Sequence, residues 1–335
     1  MRAPSGLLDD AGLDIRIEEL RAALLQWFAG HQRDLPWRMV RDPWSILVAE
    51  VMLQQTQVGR VLDRWPAFLA MFPTPASCAA AGPGPVIAAW QGLGYPRRAR
   101  ALYDISVACV ERFGGELPTS LEDLLALAGI GPYTARAVLV FAHETDVGVI
   151  DVNAARVLAR AAAGAVLGPK EAQTLADRLV PAGRGWTWNQ AMLDVGARYC
   201  RPIPQCDDCP LRGWCAFNAA RVADRGAVDP AIGTFGTGAK QSRFDGSDRQ
   251  GRGRLLRRLA DGAVATDELA VAMGWPSDFE RARRVAASLV ADRLATIGPD
   301  GALTIGDVRP ATIGPDSALA AGTDGPLTIA GPGPP

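Results

Sequence analysis

The chain has 335 residues, of which 48% are hydrophobic, and a formal net charge of -1. Its length allows more than one hydrophobic core, and no apolar run reaches the roughly 18 residues that a membrane-spanning helix needs. The N-terminus carries Asp9 and Asp10 and lacks the apolar stretch of a secretion signal. These features predict a soluble, cytoplasmic protein with no membrane partner. The near-neutral charge argues against a protein that coats nucleic acid, although it is compatible with a local basic face.

Most of the first 230 residues show apolar side chains at helical spacing, interrupted by short Pro and Gly turns. The alternation typical of strands is scarce, so residues 1–230 are predicted to form an all-α domain. Helices are expected at residues 15–29, 43–58, 61–72, 96–113, 121–127, 133–142, 153–162, 169–180 and 188–199.

A second, smaller domain is predicted beyond a linker. Residues 231–251 are rich in Gly, Ser, Thr and Asp, as expected of a linker. Residues 252–306 predict helices at 252–260, 266–273 and 279–291 and a hairpin of strands at 294–297 and 302–305. This order is typical of a winged helix, which docks on DNA or on a protein partner. The Pro- and Gly-rich residues 307–335 are predicted to be disordered.

Arginines cluster at the start of this second domain. Arg252, Arg254, Arg257 and Arg258 predict a patch that contacts phosphates, because lysine occurs only at positions 170 and 240 and arginine carries nearly all the positive charge. A solvated helix face explains them equally well.

Four cysteines are spaced as C-x5-C-x2-C-x5-C, at Cys200, Cys206, Cys209 and Cys215. Four thiolates at this spacing can hold the irons of one 4Fe-4S cluster. Zinc is the main alternative, but zinc ribbons usually supply two C-x2-C pairs, and only Cys206 and Cys209 form one here. Disulfides are disfavoured because nothing marks the chain for an oxidising compartment. We therefore predict an iron-sulfur loop at residues 200–215.

A glycine-containing turn, Leu127-Ala-Gly-Ile-Gly-Pro-Tyr-Thr-Ala135, lies between two predicted helices. Gly129 and Gly131 permit a tight turn with positive φ, and Pro132 begins the next helix, so backbone N–H groups converge at a helix N-terminus. Such a point favours a phosphate. A short G-x-G turn is often only structural, but this longer pattern predicts a helix-hairpin-helix that binds the DNA backbone.

Two carboxylates complete the candidate chemistry. Glu50 lies in the apolar segment Ile46-Leu-Val-Ala-Glu-Val-Met-Leu53, so we expect it to be buried and to hold its proton more readily than an exposed carboxyl group. Asp151 precedes a predicted helix, and an N-cap is its simplest interpretation, compatible with a place beside bound DNA. Cleavage of a glycosidic bond needs one acid for the leaving group and one carboxylate for the cationic sugar.

Several segments, in order, closely resemble adenine DNA glycosylases of the MutY type, in the helix-hairpin-helix superfamily that includes endonuclease III. They are Glu50-Val-Met-Leu-Gln-Gln-Thr-Gln57, Gly92-Leu-Gly-Tyr95, the hairpin, Asp151-x-Asn153 with Arg156-Val-Leu-Ala-Arg160, Asn189-Gln190-Ala-Met, and the cysteine loop with Cys209-Pro-Leu. The resemblance covers about residues 35–217.

The resemblance implies a monomeric, nucleoid-associated enzyme of base excision repair. Its substrate would be double-stranded DNA in which adenine is mispaired with 8-oxoguanine or guanine, and it would hydrolyse the N-glycosidic bond. Glu50 would protonate the flipped adenine and Asp151 would stabilise the sugar cation, supported by Tyr133 and Asn153. The DNA-binding residues implied are Trp37, Arg38 and Gln190 in the adenine pocket, Gln55 and Tyr95 in the base stack, and Gly129 and Gly131 on the backbone.

Strand-cleaving relatives place a lysine where this chain has Tyr133, so we predict a monofunctional glycosylase. Residues 252–306 do not resemble the Nudix-like domain with which longer family members read 8-oxoguanine, and this module is instead expected to meet DNA or a replication or repair partner. Two alternatives are a uracil or thymine mismatch glycosylase of the same fold and a non-catalytic iron-sulfur protein that binds DNA. A protonating acid suits a purine leaving group, and both carboxylates are present, so the adenine glycosylase is favoured.

Overall fold

The computed structural model describes residues 10–237 and 243–306 and divides them into two compact units. The first unit contains residues 10–41 and 136–237, and the second contains residues 42–135 and 243–306. Two predictions concern residues that the structure does not describe. They are the disorder at residues 307–335 and the middle of the linker at residues 231–251. None of the described helices combines the length and the hydrophobicity needed to cross a membrane.

The regular secondary structure of the first unit is helical in its described residues. Its elements are α1 (Asp10–His31), a 3-10 turn (Pro36–Arg38), the second part of α8 (Pro132–His143), α9 (Val152–Val157), a π-helix (Leu158–Ala163), α10 (Pro169–Leu179), α11 (Gly185–Arg198) and α12 (Ala216–Ala223). Its core packs α1 against α11 and the π-helix around Leu24, Leu158, Trp188 and Val195. Tyr199, Trp214 and three of the loop cysteines pack against this same core, which ties the cysteine loop to it.

The second unit joins the middle of the chain to its C-terminal helices. Its elements are α2 (Pro43–Leu53), α3 (Val58–Met71), α4 (Pro75–Ala81), α5 (Pro83–Ala89), α6 (Arg97–Arg112), α7 (Leu121–Leu125), the start of α8, α13 (Asp248–Asp261), a 3-10 turn (Thr266–Glu268), α14 (Leu269–Met273), α15 (Phe279–Ala291), β1 (Ala295–Ile297) and β2 (Leu303–Ile305). The strands pair antiparallel with Thr296 opposite Thr304. Phe68 stacks edge-on against Phe72 and Trp90 in the core between α3 and α5.

The predicted helices are present, with informative differences at their ends. The helix expected at 43–58 ends at Leu53 because Gln54 leaves the helical conformation and Gln55 has a φ of 54°. The helix expected at 153–162 changes after Val157 into the π-helix. Three helices of eight residues or fewer, α4, α5 and α12, were not predicted.

The C-terminal helices and hairpin follow the predicted order, but α13 begins at Asp248 instead of Arg252, with Ser247 as its N-cap. The first residues of the predicted linker are partly ordered against the first unit. Thr234 is buried, its hydroxyl accepts a hydrogen bond from the Leu167 backbone N–H, and the Phe235 N–H donates to the Leu167 carbonyl. The division into a domain at 1–230, a linker and a winged-helix-like domain stays a prediction.

Candidate active site

Glu50 is buried in α2 and held by a residue of the hairpin. The residues around it, from Ile46 to Met52, are all buried, and the Glu50 side chain is reached by the Tyr133 hydroxyl, which donates a hydrogen bond to Glu50 Oε2 at 2.8 Å. A second bond joins the same elements, because Gln54 Nε2 donates to Thr134 Oγ1 at 3.2 Å. The end of α2 and the start of α8 are therefore joined at two points, which fixes the Glu50 carboxyl group.

Asp151 caps α9 and also bonds a side chain of that helix. Its Oδ1 accepts a hydrogen bond from the Ala154 N–H at 2.7 Å, and its Oδ2 accepts one from Asn153 Nδ2 at 2.6 Å. The N-cap interpretation is thus confirmed. Burial raises the pKa of Asp151 above its usual value, against the lowering effect of the bonds from Ala154 and Asn153 and of the charge on Arg156.

The segment that leads to Asp151 is anchored by Asn189 of α11. Its Oδ1 accepts from the Val149 N–H at 2.7 Å, and its Nδ2 donates to the carbonyls of Val147 and Gly185 at 2.9 and 2.8 Å. A buried amide with its donors and acceptor satisfied orders the backbone around it. Asn189 therefore determines where the chain enters α9.

A chain of hydrogen bonds links Asp151 to the cysteine loop. Asn153 Oδ1 accepts from Arg156 Nη2 at 2.6 Å, and Arg156 Nε donates to the Cys200 carbonyl at 2.6 Å. One turn later, Arg160 Nη1 lies 3.5 Å from Cys200 Sγ. The two arginines of the Arg156-Val-Leu-Ala-Arg160 segment thus join α9 and the π-helix to the start of the loop.

Three thiols of the cysteine loop lie in an environment that changes their pKa values. Burial raises the pKa of Cys209 to about 12, and the thiols of Cys200, Cys215 and Cys206 are near enough to raise it further. Burial likewise raises the pKa of Cys200 and of Cys215. Within residues 10–237 and 243–306, no three Cys, His, Asp or Glu side chains are spaced as ligands of one metal ion. A cluster carries its own irons and sulfides and holds its four thiolates farther apart than one ion would.

The hairpin between α7 and α8 has the expected path. Gly129 has a φ of 99°, and a Cβ there would lie 2.8 Å from Ala101 Cβ, so glycine is required. Both glycines permit a positive φ, but of the two only Gly129 has one. A Cβ at Gly131 would meet no atom within 4 Å. The second glycine therefore leaves an open surface in front of the N-terminus of α8, where a ligand can approach the backbone.

Gln55 and Tyr95 lie on two loops with unusual backbone conformation. Both have positive φ, 54° and 48°, which is rare for residues other than glycine and is found where the surrounding structure imposes it. Here the surrounding contacts come from the side chain of Arg98. Its Nη1 donates to the carbonyls of Val51, Met52 and Gln54 at 2.5 to 2.9 Å.

The other end of the same guanidinium reaches the second loop. Arg98 Nη2 donates to Thr56 Oγ1 and to the Leu93 and Gly94 carbonyls at 3.0 to 3.1 Å. The Arg98 guanidinium also lies 5.4 Å from the ring centre of Tyr95. One half-buried cation therefore ties both loops together. The sequence analysis missed it, and its only local signal is an arginine soon after Gly92-Leu-Gly-Tyr95.

The residues expected in the adenine pocket are buried in the first unit. Trp37 and Arg38 belong to the 3-10 turn, and Gln190 lies on α11. Arg38 pairs with Asp194, since Nη1 and Nη2 donate to its two carboxylate oxygens at 2.9 and 2.7 Å. Burial alone would raise the pKa of Asp194, but the bonds from Arg38 and the charge of Arg33 outweigh it and lower that pKa. Asp194 was not predicted, because α11 gives no local sign of its partner.

Comparison with known proteins shows the family of this chain. The model of the "HhH-GPD superfamily base excision DNA repair protein" family matches residues 48–182, a range that includes Glu50, Tyr133 and Asp151. An adenine DNA glycosylase of Mycolicibacterium smegmatis is 39% identical over 288 residues, which cover 84% of this chain and 94% of that protein.

Two solved structures share the fold. A thermostable thymine-DNA glycosylase superposes with a TM-score of 0.59 at 26% identity, covering 62% of this chain and 98% of that one. A trapped endonuclease III–DNA covalent intermediate superposes with a TM-score of 0.55 at 21% identity, covering 64% of this chain and all of that one. The fold and the hairpin match those of base excision DNA repair proteins. The chain belongs to the HhH-GPD superfamily of base excision DNA repair proteins.

Proposed function

We propose that this protein is an adenine DNA glycosylase of base excision repair, which removes adenine mispaired with 8-oxoguanine or guanine in duplex DNA. The observation that carries the proposal is a buried Glu50 whose carboxylate is held by the Tyr133 hydroxyl at 2.8 Å. The adenine DNA glycosylase of Mycolicibacterium smegmatis, which this chain matches along most of its length, supports the same activity.

Glu50 acts as the general acid. Without a proton, adenine would leave as an anion, which is a poor leaving group. A proton delivered to a ring nitrogen lets it depart as a neutral base. The Glu50 carboxyl group lies among the buried apolar residues of α2. Tyr133 limits the rotation of that group, so the proton is offered from a defined position.

Asp151 acts on the sugar. As the bond to adenine breaks, positive charge develops at the anomeric carbon, and a buried carboxylate stabilises it strongly because little water screens the attraction. The Ala154 and Asn153 donors orient the carboxylate. Water then adds to the anomeric carbon and gives up one proton, which replaces the proton that Glu50 delivered, so the products are an abasic site and free adenine.

The enzyme is proposed to be monofunctional. An amine that attacks the sugar would form a Schiff base and lead to strand cleavage. At the hairpin position that serves this purpose in strand-cleaving relatives, the chain has Tyr133, whose hydroxyl is engaged with Glu50. Lys170 is exposed on α10 and belongs to no site described above.

Substrate recognition is assigned to three groups of residues. The hairpin, at Gly129 and Gly131, binds the DNA backbone through N–H groups at the start of α8. Gln55 and Tyr95 fill the stack after the adenine is flipped out. Trp37, Arg38 and Gln190 line the adenine pocket, where buried Arg38 Nε, which has no partner among the described residues, is a donor for the base.

Cys200, Cys206, Cys209 and Cys215 are proposed to hold a 4Fe-4S cluster. The residues fit this group, because three of the four cysteines pack against the same core and Arg160 and Arg156 next to Cys200 compensate the negative charge of a thiolate. A cluster held by these cysteines would supply a covalent cross-link that closes residues 200–215. Hydrolysis itself needs no electron transfer, so this chain's carboxylates carry the reaction.

A panel of duplexes tests the function. Single-turnover base release is measured on A:8-oxoG, A:G, A:C, U:G and T:G duplexes. We expect adenine release from A:8-oxoG and A:G, its loss in Glu50→Gln with lesion binding kept, and partial loss in Tyr133→Phe. Release of uracil or thymine with no release of adenine would establish the mismatch-glycosylase alternative, and full activity of Glu50→Gln would refute the role of the acid.

A further inference from the structure

Residues 243–306, here called the C-terminal module, are built onto α5 and α6 within the second unit. Helix α13 and strand β2 both pack on α5. A Cβ at Gly84 of α5 would lie 3.2 Å from Ile305 Cγ2 of β2, so this glycine permits close approach of the strand. Gln91 Nε2 also donates to the Leu256 carbonyl at 3.4 Å.

Charged groups fix the module against α6. Arg97 pairs with Asp292 at 2.7 Å, and Arg293 pairs with Asp104 at 2.8 Å. Asp292 also accepts from Arg252 of α13. Burial would raise the pKa of Asp292, but the bonds from Arg97 and Arg252 outweigh it and hold that pKa below its usual value.

This network changes the interpretation of the arginine cluster. The Arg252 guanidinium is engaged by Ser288 and Asp292, and Arg254 Nη1 donates to the Met273 carbonyl at 3.1 Å. These two therefore stabilise the module internally. Arg257 and Arg258 are exposed.

One contact of the module reaches the candidate active site. Arg249 of α13 donates from Nη1 to the Tyr95 hydroxyl at 3.2 Å. Tyr95 is half-buried and has the constrained backbone described above. Its ring is thus held from two directions, with Arg98 near the ring face and Arg249 at the hydroxyl.

We infer that the C-terminal module positions Tyr95 for insertion into the DNA stack, with Arg249 as the positioning residue. The inference rests on the proposed function of Tyr95. A ring held at both its face and its hydroxyl needs less ordering when DNA arrives, so more of the binding free energy is available for extruding the base. The module therefore serves the active site by docking on α5 and α6, and not as a separate lobe.

The test compares the two sides of this hydrogen bond in the full-length protein. Arg249→Ala removes the donor, and Tyr95→Phe removes the acceptor while keeping the ring. Arg283→Ala is the charge control, because Arg283 is exposed on α15 of the same module. Each variant is titrated with an A:8-oxoG duplex that carries 2-aminopurine beside the target adenine, whose fluorescence reports unstacking. Melting temperature and single-turnover adenine release are measured in parallel.

We expect Arg249→Ala and Tyr95→Phe each to reduce the equilibrium constant for unstacking by about fivefold, with unchanged melting temperature. The double variant should be no worse than either single variant, whereas Arg283→Ala should combine additively with Tyr95→Phe. Additive effects of Arg249→Ala and Tyr95→Phe, or no effect of either, would overturn the inference. If wild-type protein unstacks the duplex but releases no adenine, the proposed activity fails while the positioning role stands.

Discussion

Replacement of Arg98 should lower both the stability of the second unit and the ability of the protein to discriminate lesions. Arg98 donates to three carbonyls at the end of α2, where helix carbonyls have no partners within the helix and a cation is favoured. It donates to three further acceptors around the Gly92-Leu-Gly-Tyr95 loop. Burial lowers its pKa to about 10, partly opposed by Tyr95, so it is still charged at neutral pH.

The expected magnitudes follow from these contacts. Arg98→Ala leaves half-buried carbonyls unpaired at both loops, and we expect it to lower the free energy of unfolding by about 3 to 5 kcal/mol. A lysine ammonium has fewer donors and reaches one group of acceptors, so Arg98→Lys should cost about 1 to 2 kcal/mol. In both variants Gln55 and Tyr95 lose the bridge that holds their loops together.

Urea unfolding measures the stability of each variant. Discrimination is measured as the ratio of affinities for A:8-oxoG and A:T duplexes in a Glu50→Gln background, where no base is released. We expect Arg98→Lys to reduce this ratio about tenfold, the equivalent of ~1.4 kcal/mol. Arg112→Ala, an exposed arginine at the other end of α6, controls for the loss of charge. If Arg98→Lys lowers stability but leaves the ratio unchanged, the bridge does not position the two loops.

Three further outcomes are expected. Gly129→Ala should destabilise the protein by about 1 to 3 kcal/mol, because φ is positive there and Ala101 occupies the space that a Cβ would need. Gly131→Ala should instead keep the melting temperature of the wild type and weaken DNA binding in a titration. The folded-state pKa of Asp151 is raised, so the free energy of unfolding of the wild type falls as pH rises above the usual aspartate pKa. An asparagine side chain does not titrate, so urea unfolding should show the stability of Asp151→Asn increasing relative to that of the wild type over this pH range. A stability difference that does not depend on pH would contradict this reasoning. Purified protein should be brown with about four irons per chain, and Cys206→Ser should lose iron and DNA affinity; stoichiometric zinc would refute the cluster.

The sequence by itself identified the family and most of the catalytic candidates. Glu50 was recognisable because a charge inside an apolar helix contradicts the periodicity around it, and the structure buries it. Asp151 was recognisable as a cap because N-caps depend on residues next to each other in the chain. The resemblance to adenine DNA glycosylases is confirmed by the 39% identical relative.

Local patterns failed where the backbone is controlled from a distance. The end of α2 could not be predicted, because Gln54 and Gln55 are ordinary helix formers and Arg98, 44 residues away from Gln54, holds their loop in a different conformation. The sequence also could not decide which hairpin glycine has a positive φ, since glycine permits that conformation without requiring it, and only Gly129 of the two adopts it.

Long-range pairs of charged and polar residues were decided by the tertiary structure alone. Arg38 and Asp194 are separated by 156 positions, and Tyr95 and Arg249 by 154, and neither residue of a pair carries a local sign of the other. Hydrophobic periodicity and capping are short-range properties that a sequence displays directly. Which buried cation meets which carboxylate or hydroxyl depends on how helices pack, so only the folded chain shows that Arg98 joins two loops and that the C-terminal module reaches Tyr95.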